Sequence, residues 1–265
     1  EHMMFKGTES RSALDIALEI DRVGGEFNAF TTREYTCFHL LMLAKDIELG
    51  ADIVCDVLLR SLFSPKDIEK ERRVILQEIA MVDDNPEERA YDLAFKKSFP
   101  ESTLGNPIQG YPKTVKRFNR NLVYSYFRQH YSPHQVTLAV AGCLDHKTVF
   151  ASFNSKLKEF SNLNQTPKSE FMTVRPRTKP KFGSGVVTAN IKAEQTHILA
   201  CLPSVSRSDD SRFAVSLLNT YLGGGMSSVL FQEIRENRGL AYSVFSNVAC
   251  FSDIGLMSIY LATAS

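Results

Sequence analysis

The 265-residue chain is 43% hydrophobic and 23% charged, an ordinary balance for globular domains, which excludes a wholly disordered chain. With 31 Lys and Arg against 30 Asp and Glu, the formal net charge is +1, so no global basic field draws it to nucleic acid or to an acidic membrane surface. The uncharged stretch Ala214–Gln232 carries Asn219, Thr220, three glycines and three serines, too polar for a transmembrane helix.

The pattern predicts a helix over Ser12–Val23, with apolar residues at 13, 14, 16, 17, 18, 20 and 23, stopped by Gly24-Gly25. Glu26–Thr32 and Tyr35–Leu43 read as two strands or one bent strand, and Ile47–Leu62 as a helix. A helix from Ser64 to about Val82 is the best marked, with Ser64 as cap, Pro65 in the first turn and Asp67 three residues after the cap. Further helices are expected over Glu87–Phe99, Asn119–His130 and His146–Phe160, with a strand at Val136–Gly142. Residues 166–185, with Pro167, Pro176 and Pro180, read as a linker. Beyond it come strands at Val186–Ile191 and Thr196–Leu202, a helix at Ser211–Tyr221, the turn Gly223-Gly224-Gly225, a helix at Ser227–Glu236, and strands to the end. The expectation is an α+β chain of two related α/β roll units, each an antiparallel sheet with helices packed on it. They are placed at 1–165 and 186–265, both truncated at the outer chain ends.

Five scattered cysteines, none in a CxxC pair, read as small buried hydrophobes in a reducing compartment. The cytoplasm is the expected location, with the mitochondrial matrix as the alternative.

Glu71 and Glu78 are seven residues apart and share a helix face. By spacing alone that pair reads as a solvated stripe. The opening Glu1-His2 gives it meaning, because a His-x-x-Glu-His segment is the inverted zinc-protease motif and needs a further carboxylate from elsewhere. Only the last two residues of that motif are present. The first His would lie three positions before Glu1, so the chain is expected to be an internal piece of a longer protein.

The stretches Glu1–Thr8, Gly24–Thr31, Glu71–Glu78, and Leu222–Ser228 through Arg235–Tyr242 resemble, in that order, four blocks of the M16 (pitrilysin-type, inverzincin) metallopeptidases. The processing-peptidase branch is the most similar. The resemblance implies a zinc-dependent endopeptidase acting on peptides or unfolded, presequence-like segments. It implies His2 and Glu78 as zinc ligands, Glu1 as general base and Glu71 as a partner behind the ligands. It further implies Asn28, Ala29 and Phe30 as an edge strand that binds peptide backbone. Arg235 and Tyr242 would then reach the substrate carbonyl. A homodimer or paired M16 subunit follows from the same resemblance, with neither nucleic acid nor membrane as partner. With one motif His missing, zinc is expected to be absent or weakly held in this piece, and the piece itself to be inactive. The rival reading is a non-catalytic M16 homologue that binds presequences or scaffolds a second subunit.

Overall fold

Side-chain caps set the ends of the first helices in the computed structural model, which describes residues 1–131, 135–163 and 179–264. Helix α1 (Ala13–Arg22) opens on a capping box: the Ser12 hydroxyl accepts from the Asp15 N–H while Asp15 accepts from the Ser12 N–H. It closes on Gly24 at φ +66, with the Gly24 N–H on Asp21 O and the Gly25 N–H on Ile20 O, both at 3.0 Å. That is a Schellman ending, which glycine adopts without the strain a Cβ imposes.

Strands β1 (Glu26–Thr31) and β2 (Thr36–Leu41) follow as an antiparallel pair, in register Glu26↔Leu41 to Thr31↔Thr36. Next come α2 (Ile47–Arg60) and the 20-residue α3 (Pro65–Asp84). Ser64 caps α3 by accepting from the Asp67 N–H at 3.2 Å, and Asn85 caps α4 (Pro86–Ser98) by accepting from Glu87 and Glu88. A single turn α5 (Pro112–Val115), α6 (Arg120–His130) and α7 (His146–Leu163) complete the first half. The second half holds β3 (Gln195–Ser204), α8 (Arg212–Gly223), β4 (Ser243–Cys250) and β5 (Gly255–Ala264). Its sheet has the order β3-β5-β4, antiparallel throughout.

Two compact units emerge, each drawn from two stretches of chain. One comprises Glu1–Leu76 and Pro112–Arg175, the other Gln77–Tyr111 and Pro176–Ser265. Residues 77–111 therefore group with the C-terminal sheet and not with the contiguous block 1–165 in which the sequence pattern puts them. The reason is aromatic: α4 packs on β3 and contributes Phe95, which with Phe99, Leu104, Phe251, Ile254 and Leu256 forms the second unit's core. Burial of that much ring and aliphatic surface outweighs sequence proximity. The first unit's core joins Met3 and Met4 to Ile16, Ile20, Ile53, Val57 and Phe127.

Four expectations are corrected. Val136–Gly142 and Val186–Ile191 are not strands; neither is laddered to a described strand, and a strand needs such a ladder to satisfy its backbone groups. The helix expected over Ser227–Glu236 is a π-helix from Phe231 to Glu236. Of the linker, residues 166–178 lie outside the described residues. All five cysteines are unpaired, and Cys143 is exposed where a buried site was expected. Among the described residues no helix is long and apolar enough to cross a membrane.

Candidate active site

Glu1 and His2 sit on a short 3-10 turn, His2–Phe5, that is pinned from below. Met3 and Met4 on that turn are 7% and 1% exposed and belong to the first unit's core. The Met4 N–H donates to Glu1 O at 3.0 Å. Anchoring two side chains of a four-residue turn leaves little freedom for the other two.

His2 meets Glu71 of α3. Its Nδ1 lies 3.0 Å from Glu71 Oε2, and Lys6 Nζ lies 2.7 Å from the other carboxylate oxygen, Oε1. Burial pushes the Glu71 carboxyl up, but the hydrogen bonds from Lys6 and His2 outweigh it, and its pKa stays below the ordinary carboxylate value. A charged carboxylate facing Nδ1 favours the N–H on that nitrogen, and in the neutral tautomer so favoured the lone pair is on Nε2. This is the arrangement by which an outer carboxylate orients a metal-binding imidazole. Glu78, seven residues further along α3 and half-buried, is on the same face by helical periodicity. Among the described residues no group of three or more His, Cys, Asp or Glu side chains could hold a metal ion. The contact orients one imidazole, and the described residues assemble no full ligand set around it.

Glu1 is tied to the end of β1. The Thr31 hydroxyl, at the last residue of β1, donates to Glu1 Oε2. Thr31 Oγ1 lies 3.2 Å from Thr36 Oγ1 on β2. Burial pushes the Tyr131 phenol up. Sequence reasoning did not single out Lys6, Thr31 or Thr36, since each acts through a contact distant in sequence.

Among the described strands β1 pairs with β2 alone. The Ala29 N–H donates to Asn28 Oδ1 at 2.8 Å. Phe30 is 45% exposed and packs edge-on to Tyr35, ring centroids 6.1 Å apart.

In the second unit the structure brings Arg235 and Tyr242 together. The Arg235 guanidinium lies 4.6 Å from the Tyr242 ring centroid and 4.7 Å from that of Phe231, a cation held between two π faces. The π-helix makes this possible by its wider turn: the Asn237 N–H bonds Gln232 O, five residues back, at 2.8 Å. Phe231 also lines a recess of about 220 Å³ with Met226, Val244, Phe245 and the glycine turn 223–225.

None of those three glycines has a positive φ, so backbone permissiveness is not what the turn requires. Close approach is: a Cβ on Gly223 would lie 2.4 Å from the Ser246 backbone nitrogen, whereas one on Gly225 meets nothing within 4 Å. Gly223→Ala is therefore expected to destabilise the second unit by about 1–3 kcal/mol, and Gly225→Ala to change stability by less than about 0.5 kcal/mol. Thermal unfolding of the two variants side by side checks the contrast.

Two family models and several known proteins match this chain. Residues 1–111 match the family model described as Insulinase (Peptidase family M16), and residues 117–265 match that described as Peptidase M16 inactive domain. An uncharacterized zinc protease of Streptomyces coelicolor is 41% identical over 98% of this chain and 57% of its own length. One from Bacillus subtilis is 34% identical over 100% of this chain and 63% of its own. The chain thus spans less than two thirds of these relatives. The crystal structure of a protease from Helicobacter pylori has the same fold, with a TM-score of 0.90 at 17% identity over 99% of this chain and 63% of that one. A peptidase M16 inactive domain from Pseudomonas fluorescens gives 0.82 at 19% identity, again over 99% of this chain and 63% of that one. By its match to these family models, this chain is a member of the M16 peptidase family.

Proposed function

We propose that the full-length protein is a zinc-dependent endopeptidase that cleaves peptides or unfolded, presequence-like segments. The observation that carries this reading is the Glu71 carboxylate on His2 Nδ1, a contact that orients an imidazole for a metal. His2 and Glu78 would hold the metal, together with a ligand outside the described residues. Zinc, when bound, supplies Lewis acidity toward a carbonyl and lowers the pKa of a water.

This chain's own residues do the rest. The edge of β1 away from β2 takes an extended peptide as an added strand, with Asn28, Ala29 and Phe30 alongside it. A folded substrate has no free strand to offer. The Glu1 carboxylate, steadied by Thr31, accepts a proton from the attacking water and returns it to the leaving amine. Arg235 and Tyr242 are assigned to a peptide carbonyl oxygen, a role suited to a guanidinium held between two rings beside an exposed phenol. A homodimer or paired M16 subunit belongs to the same reading, checked by the mass of the full-length protein in solution.

The test is cleavage of an unstructured peptide by the full-length protein, with and without chelator, beside His2→Ala. Chelator is expected to stop cleavage, added zinc to restore it, and His2→Ala to lower zinc affinity at least 10-fold. The match of residues 117–265 to an inactive-domain model favours a binding role for the second half. A full-length protein that binds presequence-like peptides but never cleaves them would replace the endopeptidase with a binding or scaffolding subunit.

A further inference from the structure

We propose that Lys6 is a positioning residue for His2, acting through Glu71. The inference deepens the zinc reading and rests on it for its functional meaning, though not for its geometry. Glu71 and Asp56 are the two acidic side chains among the described residues that are buried. Glu71 is held at both oxygens: Lys6 Nζ lies 2.7 Å from Oε1 and His2 Nδ1 lies 3.0 Å from Oε2.

A glutamate has three rotatable side-chain bonds, and one contact would leave its carboxylate free to turn about that contact. Two contacts on opposite oxygens fix the plane of the group. The imidazole then meets an acceptor in one orientation, and the ring is fixed with it. Lys6 can do this because it ends the same 3-10 turn that carries His2; its N–H closes the turn on Met3 O at 3.3 Å. Met3 and Met4 hold the turn in the core, so Lys6 and His2 move as one body against α3. The Lys6 side chain is 34% exposed, which allows its replacement without opening a cavity. Its charge is not needed as a ligand. Its work is to hold Glu71 so that His2 keeps its proton on Nδ1 and its lone pair on Nε2.

The test uses the full-length protein with imidazole ¹⁵N labels, metal-free, at a pH above the range in which the ring protonates. Wild type is expected to show His2 as a single Nδ1–H tautomer. Lys6→Met is expected to show a mixture of tautomers, and Lys6→Arg to restore the single form, because a guanidinium also pairs with a carboxylate. In zinc competition with a chromogenic chelator, Lys6→Met is expected to weaken binding about 10- to 100-fold, with most of the loss recovered in Lys6→Arg. A Lys6→Met variant with one tautomer and wild-type zinc affinity overturns the proposal. Lys6→Gln, neutral but able to donate, replaces it if Lys6→Met does not fold, and is expected to fall between wild type and Lys6→Met in tautomer ratio. A Gln variant indistinguishable from wild type also overturns it. If wild type binds no zinc, the peptidase reading fails, while the tautomer comparison still decides the role of Lys6.

Discussion

Glu1→Gln in the full-length protein is expected to lower kcat/KM for an unstructured peptide by about 10²- to 10⁴-fold, the range for removing a general acid–base, with zinc content at the wild-type level. The two outcomes separate because the side chains do different work. Glutamine keeps an oxygen for the Thr31 hydroxyl that Glu1 now accepts from, so the end of β1 is undisturbed. It also leaves the Glu71 contact with His2 intact. What it cannot do is take up a proton. Steady-state cleavage and metal analysis on the same preparation provide the check. Cleavage within about tenfold of wild type would remove Glu1 from the role of base. Loss of zinc alongside activity would recast Glu1 as part of the metal site.

Much of the fold was legible because it is written in local chemistry. Ser12, Ser64 and Asn85 each precede a helix and each caps it, and a cap needs only neighbours within three residues. The strand pair 26–41 was legible for a similar reason, since its two strands are joined by a short turn. The C-terminal strand Thr196–Leu202 was legible too, although its partner β5 is distant, but the two other apolar runs expected as strands were misleading. Val136–Gly142 is apolar enough for a strand, yet a strand exists only when another backbone lies beside it. The grouping of Gln77–Tyr111 with the C-terminal sheet was equally invisible, because nothing in the spacing of Phe95 and Phe99 announces Phe251 as a neighbour. The candidate site divides the same way. Sequence likeness singled out His2, Glu71, Arg235 and Tyr242, and the structure puts His2 on Glu71 and Arg235 on Tyr242. It could not supply Lys6 on the far oxygen of Glu71, or Thr31 on Glu1, since side-chain direction across 30 or more residues follows only from packing. The π-helix beneath Arg235 was missed because its residues fit an α-helix as well.

Asp56→Ala is expected to cost the first unit about 3–5 kcal/mol, the range for removing one partner of a buried ion pair. Asp56 lies on α2 and is 1% exposed. It accepts from Thr8 Oγ1 at 2.6 Å, Ser10 Oγ at 2.8 Å and Arg11 Nη1 at 2.9 Å, so one carboxylate gathers the whole loop that follows the Glu1-His2 turn. Arg11 reaches on to Asp52 at 2.6 Å and Glu19 at 3.0 Å, and Lys156 closes on Asp52 at 2.5 Å. Alanine leaves the Thr8 hydroxyl and one face of Arg11 buried without an acceptor, which costs more than the lost attraction. Native-state hydrogen exchange at α2 amides measures the loss. Arg11→Met with Asp56→Ala is expected to be less destabilising than the sum of the two single changes, because neither then strands the other. The pH dependence has a definite sign. Burial pushes the Asp56 carboxyl up, yet the hydrogen bonds from Thr8, Ser10, Arg11 and Arg60 outweigh it and hold its pKa below the ordinary 3.8. Its contribution is therefore complete above the ordinary aspartate range and lost as pH falls through 3.8 toward the lower folded value. The acid limb of wild-type stability is expected to be steeper than that of Asp56→Ala, and equal slopes would exclude Asp56 as the titrating hub. Since the same loop leads directly into the His2–Phe5 turn, the variant is also expected to weaken zinc binding in the full-length protein without touching a ligand.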